Sequence, residues 1–172
     1  PPANSSEDFV LNVTVTSTDP YGGSTATATS SLRVSANDVN DVTELNINSL
    51  ASHGVKGTAF QVASDISLVD VDSTFLSGAS VVIDGGLHGG DGLSLGGQTL
   101  TSLGGGVYAI DGTDIHVTGT ATGVLTFSGT DTLDHYEQVL ESVRLTGNGS
   151  GTRQVSFSVT DDTGVTSTLH SV

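Results

Sequence analysis

Arg153-Gln154-Val155-Ser156-Phe157-Ser158-Val159 alternates apolar and small polar residues one for one. A period of two puts Val155, Phe157 and Val159 on one face of an extended strand and Ser156 and Ser158 on the other. The same alternation recurs in Phe9-Val10-Leu11-Asn12-Val13-Thr14-Val15 and in Gly123-Val124-Leu125-Thr126-Phe127. Each run is bounded by Gly, Asp, Ser or Pro, which favour turns for reasons of backbone freedom and local hydrogen bonding. Many short strands with regular punctuation predict an all-β, antiparallel Greek-key β-sandwich in place of alternating βαβ units.

One segment departs from that period. Between Asp131 and Leu145, apolar residues fall at Leu133, Tyr136, Val139, Leu140 and Val143, a helical spacing, with Asp131 or Thr132 placed to cap the start. This predicts one short helix within 131–143, packed across an open end of the sandwich, with a strand from Val143 to Thr146. Tyr136 reads as core. An internal repeat is also visible: Phe9 to Thr25 and Val155 to Thr168 are each a strand, an acidic Gly-containing tip and a Ser/Thr-rich return. Asp19 and Asp161 mark the same place in the two copies. Residues 1–42 then read as the C-terminal strands and linker of a preceding repeat, and 43–172 as a complete repeat lacking its exit linker.

Composition narrows the function. Four basic residues face nineteen acidic ones, for a formal charge of −15. Nucleic acids and anionic membrane surfaces attract basic patches, so neither is an expected partner. Fifteen of the acids are Asp, whose short side chain suits turns and metal loops. With no Cys, there is no disulfide framework and no thiolate chemistry. No apolar run approaches the length of a membrane span. With no Met and an opening Pro1-Pro2, the chain reads as a piece of a longer one whose targeting signals lie elsewhere.

The acids cluster. Asp38-Val39-Asn40-Asp41 and Asp70-Val71-Asp72 stand thirty-two residues apart, the first where one β-rich stretch gives way to the next. Carboxylates this close repel unless a cation neutralises them, and Ca²⁺, which takes about 6–8 oxygen ligands, suits such a set. Two polar turns on an acidic protein is the plainer alternative. Asp161-Asp162, at a hairpin tip, is a further candidate pair, placed by the repeat to serve the next linker. Asp111-Gly112-Thr113-Asp114 reads as a hairpin turn, with a second ion held by its two carboxylates as the alternative. Gly85 to Gly97 fits one imperfect unit of a calcium-binding nonapeptide and is better read as a glycine loop followed by a strand at Leu93 to Leu95; His88 and Asp91 within it have nothing else converging on them. The five histidines are scattered without metal-ligand spacing. No nucleophile elbow accompanies the abundant Ser, His and Asp, so the chain is not expected to be an enzyme.

Asp38-Val39-Asn40-Asp41 resembles the D-x-N-D linker of cadherin repeats, and Asp70-Val71-Asp72 the D-x-D of the repeat that follows. The wider text is similar to the tandem cadherin-like or immunoglobulin-like repeats of giant bacterial surface adhesins of the RTX type. The resemblance runs through Pro1 to Ser5, Leu68 to Thr74, Leu76 to Val81, Thr122 to Thr130, Tyr136 to Val143 and Val155 to Gly164. It implies an extracellular, calcium-stiffened, non-enzymatic module in which Asp38, Asn40, Asp41, Asp70 and Asp72 share interdomain Ca²⁺, with Asp19 closing the site from the preceding hairpin. Two positions depart from the pattern: Val42 stands where cadherins carry Asn, and Ser52-His53-Gly54 where an early Glu is common, with Glu44 a possible substitute. The expected function is a structural spacer in cell-surface adhesion or biofilm formation, monomeric, with neighbouring repeats as partners. The alternatives are a module binding a peptide or glycan of a host or cell surface, through the 85–106 or 131–137 loops, and a scaffold hosting an inserted ligand-binding domain.

Overall fold

A computed structural model describes residues 9–35, 39–48 and 54–172. The chain divides into two units, Pro1–Asn40 and Asp41–Val172. The described residues of the first form an antiparallel hairpin, β1 (Phe9–Thr18) and β2 (Thr25–Val34), in register from Phe9↔Val34 to Thr18↔Thr25.

The second unit is an antiparallel sandwich with one short helix. Its large sheet takes strands β6 (Phe75–Gly85), β8 (Leu100–Gly104), β9 (Val107–Ile110), β10 (His116–Thr118), β11 (Val124–Thr132), β13 (Gln154–Asp161) and β14 (His170–Ser171), in the order β14-β13-β6-β11-β10-β9-β8. Strand β6 lies between β11 and β13, neither its neighbour in sequence, as Greek-key connections require. Facing it are a three-stranded sheet of β4 (Ala59–Gln61), β12 (Val143–Thr146) and β7 (Gly92–Leu95), and a pair of β3 (Glu44–Ile47) with β5 (Ile66–Val69). The inner faces of all three meet in one core. Val155, Phe157 and Val159 are buried, as are Leu125 and Phe127, so the alternation in both strands marks the face turned inward.

The helix, α1, runs Leu133–Glu141, and the Thr132 hydroxyl accepts from the His135 amide to cap it. Tyr136, Val139 and Leu140 point into the core. Its opposite chemistry matters as much. Glu137 Oε1 accepts the Leu68 amide at 2.6 Å and Glu141 Oε1 the Ile66 amide at 3.0 Å. Residues four apart on a helix share a face, and residues two apart on a strand present their amides to the same edge. The two carboxylates therefore cover the edge of β5 that β3 leaves open. Hydrogen bonds to charged acceptors contribute about 1.5–3 kcal/mol, so Glu137→Ala and Glu141→Ala should each lower stability by up to that amount in urea unfolding, and Glu137→Gln, which keeps an acceptor, by less.

Candidate functional site

Between β5 and β6, the loop Asp70-Val71-Asp72-Ser73-Thr74 folds around its own carboxylates. Asp70 Oδ1 accepts from the amides of Asp72 and Ser73 at 3.1 and 2.9 Å, and its Oδ2 from the Thr43 hydroxyl at 2.6 Å. Asp72 Oδ2 accepts from the Asp41 amide at 2.8 Å. These bonds tie the first residues of the unit, 41–43, to a loop some thirty residues later. From the turn after β13, Asp162 reaches the same end: the Ser73 hydroxyl donates to its Oδ1 at 2.9 Å. Asp41, Asp70, Asp72 and Asp162 thus share one end of the sandwich, the end at which the chain enters it.

The charges there are unevenly settled. Burial works to raise the Asp70 pKa, but the Thr43 hydroxyl, the adjacent Asp72 carboxyl and the amides of Ser73 and Asp72 outweigh it, and the carboxyl sits below its ordinary value. Asp72 goes the other way. The Asp41 amide favours its ionised form, yet the neighbouring Asp70 and Asp41 carboxylates prevail and hold its pKa above the ordinary value. Ionised Asp72 is therefore a net electrostatic cost near neutral pH, of the kind a bound cation relieves. The donors at this end are all oxygens, which fits a hard divalent ion. Among the described residues, no three His, Asp or Glu side chains stand close enough together to hold a metal ion in the arrangement seen.

Two further expected ligands lie in hairpin turns. Asp19 sits in the turn of the β1–β2 hairpin, accepting the Tyr21 amide. The strands pair over ten residues, so at about 3.4 Å per residue the tip lies some 30 Å from Val34, where the chain leaves. The hairpin tip is at the far end of its ladder from Val34. The turn after β13 that carries Asp161 and Asp162 is likewise at the far end of its strand from Val155. Val172 pairs with Val155 at the far end of β13, while Asp162 stands beside Ser73. Asp161 is fully buried, its Oδ1 taking the amides of Thr163 and Val165 and the Thr163 hydroxyl, and so it builds the turn. Asn40 belongs to the first unit, and Asp38 lies outside the described residues. Asp111 and Asp114 flank a turn at Gly112 (φ 85°), where Asp111 Oδ1 accepts the Thr101 hydroxyl.

The sequence set aside an acid that the fold uses to join two loops. Arg153 forks onto Asp91, Nε to Oδ2 at 2.8 Å and Nη2 to Oδ1 at 3.2 Å, with the Arg and Asp side chains 5 and 0 % exposed. The amides of Asn148 and His88 donate to the same carboxylate at 2.6 and 2.8 Å. Four donors, the Arg153 guanidinium first among them, hold its pKa far below the carboxylate range despite burial. This clasp joins the glycine loop before β7 to the loop between β12 and β13. Beside it, a cleft of about 680 Å³ is floored by Phe60, Val62, Leu145 and Val155 with Lys56 among its lining. No helix among the described residues is long and apolar enough to cross a membrane. No family model, no curated protein and no solved structure matches the chain.

Proposed function

We propose that the chain is a calcium-stiffened structural repeat of an extracellular bacterial adhesin, a spacer whose junctions are locked by divalent cations. The observation that carries this reading is the gathering of Asp41, Asp70, Asp72 and Asp162 at the end where the chain enters the sandwich, with Asp72 held above its ordinary pKa by like charge. Asp38 and Asn40, just upstream of Asp41 in sequence, would add two oxygen donors. The −15 charge supports the same reading, since self-repulsion favours counter-ions.

Thermal unfolding in EDTA and in millimolar Ca²⁺ tests it. A ligand about 100-fold above its Kd stabilises by about 2.7 kcal/mol, and Mg²⁺ should do less because it gives up its water shell reluctantly. Asp72→Asn adds a sign. A carboxyl with a raised folded pKa loses stability as pH climbs through its titration, so neutralising it should leave the metal-free protein no less stable at pH 7. The same substitution should remove most of the calcium increment. Melting that ignores Ca²⁺ in both proteins would defeat the proposal. The cleft lined by Phe60, Val62, Leu145 and Lys56 supports a second reading, a ligand-binding module of the same adhesin. That module would bind there and not at the 85–106 or 131–137 loops.

A further inference from the structure

Among the described residues the β1–β2 hairpin has no other strand in its unit, and an isolated two-stranded hairpin is marginally stable at best in water. It is two-faced. Phe9, Leu11, Val13, Val15 and Ser17 line one face opposite Val34, Leu32, Ser30, Ala28 and Ala26, while Val10, Asn12, Thr14, Thr16 and Thr18 line the other opposite Arg33, Ser31, Thr29, Thr27 and Thr25. On the apolar face Leu11, Val13, Val15 and Leu32 are each about half exposed or more. The outer edge of β1 has no strand beside it among the described residues, and β1 carries neither charge nor proline, the devices that usually protect a free edge.

The internal repeat indicates what such a face is for. Asp19 and Asp161 are 142 positions apart, so Val13 corresponds to Val155, Val15 to Phe157 and Ser17 to Val159. An even offset preserves the face. In β13 those residues are 2, 0 and 0 % exposed beneath the opposing sheets, and the strand's other edge is paired along its length with β6. We infer that β1–β2 is the closing hairpin of a separate sandwich of this repeat type, docking its odd-numbered face on that sandwich's core and offering the free edge of β1 to a strand equivalent to β6. A second copy of the hairpin is too small an occupant. Two strands of ten residues present a footprint of roughly 330 Å² at about 3.4 Å per residue and 4.8 Å between strands, well below the ~800 Å² per partner of a stable dimer. A sandwich supplies an apolar sheet and an edge together. This inference rests on reading the chain as part of a repeat array, but its test involves no metal, so the two fail separately.

Hydrogen exchange on the intact chain and a register-controlled graft test it. With no partner present, the β1 amides that β2 leaves unbonded should be slowed roughly tenfold or less, and those of β13 roughly a thousandfold or more, as exchange through global opening requires. Equal protection of the two strands would mean that the hairpin is complete alone or rests on Asp41–Val172, and would overturn the inference. In the graft, residues 13–30 replace 155–172, leaving Arg153 in place. The product should unfold cooperatively with the Val13 and Val15 segment protected, at a lower Tm because Ser17 stands in for Val159. Grafting residues 14–31 in the same place turns Thr14, Thr16 and Thr18 inward and should leave the protein unfolded. Identical behaviour of the two grafts, or an unfolded in-phase graft, overturns the inference.

Discussion

Asp91→Ala should destabilise the sandwich Asp41–Val172 by about 3–5 kcal/mol, the cost of removing one partner from a buried ion pair. The loss comes less from the missing attraction than from what is stranded. Without the carboxylate, the Arg153 guanidinium and the amides of His88 and Asn148 lose their acceptor in a part-buried site. For that reason an apolar pair at 91 and 153 should not restore stability, although such replacements often do where an ion pair is self-contained; the two amides would remain unanswered. Arg153→Lys keeps the charge but not the planar fork, and should fall between the wild type and Asp91→Ala. The pH dependence has a definite sign. A carboxylate whose folded pKa is depressed contributes fully above the unfolded value of about 3.9 and less as pH falls toward the folded one. The gap between wild type and Asp91→Ala in urea unfolding should therefore be widest near neutrality and shrink below about pH 4. A gap that is small at pH 7, or constant down to pH 3, would show that the clasp does not hold the loops.

Most of the architecture follows from periodicity, because periodicity is what a half-buried strand or helix imprints on a sequence. Val155, Phe157 and Val159 announce their face by alternation, and Tyr136, Val139 and Leu140 by helical spacing, and each lies in the core. Interactions between distant positions leave no such imprint. Asp91 and Arg153 are 62 residues apart, and Glu137 meets an edge 69 residues earlier. A signal for the clasp did exist: with four basic residues in the chain, an Arg opening a core strand demands an acid. The placement of the hairpin tips is hidden for a different reason. The repeat identifies Asp19 and Asp161 as equivalent, but only the ladders reveal that each tip points away from its own exit. Asp162 stands at the end of the sandwich that holds Asp41, Asp70 and Asp72, a neighbourhood that no spacing announces.

Tyr136→Ala should cost about 3–5 kcal/mol, as truncating a buried aromatic ring does when the surroundings relax only partly. Tyr136 heads the largest fully buried side chains of the sandwich, and it sits where α1 meets a flaw in β11. Between Ser128 and Asp131 that strand carries one residue more than β6 opposite it, a bulge at which Gly129 adopts φ 120°. The phenol hydroxyl donates to the Gly129 carbonyl at 2.6 Å, so the ring fills the core while its polar tip satisfies the bulge. Burial first, and the Asp131 carboxylate second, drive the phenol pKa upward, keeping the hydroxyl a donor across the accessible pH range. These roles separate by substitution. Tyr136→Phe retains the ring and forfeits one hydrogen bond, for about 1 kcal/mol. Gly129→Ala leaves Tyr136 untouched but brings a Cβ to 2.1 Å from the Asp114 carbonyl oxygen in a left-handed backbone, and should be worse than Tyr136→Phe. If Tyr136→Ala instead matched Tyr136→Phe in urea unfolding, the ring would carry no core packing, and α1 would be a lid laid over the sandwich instead of part of its interior.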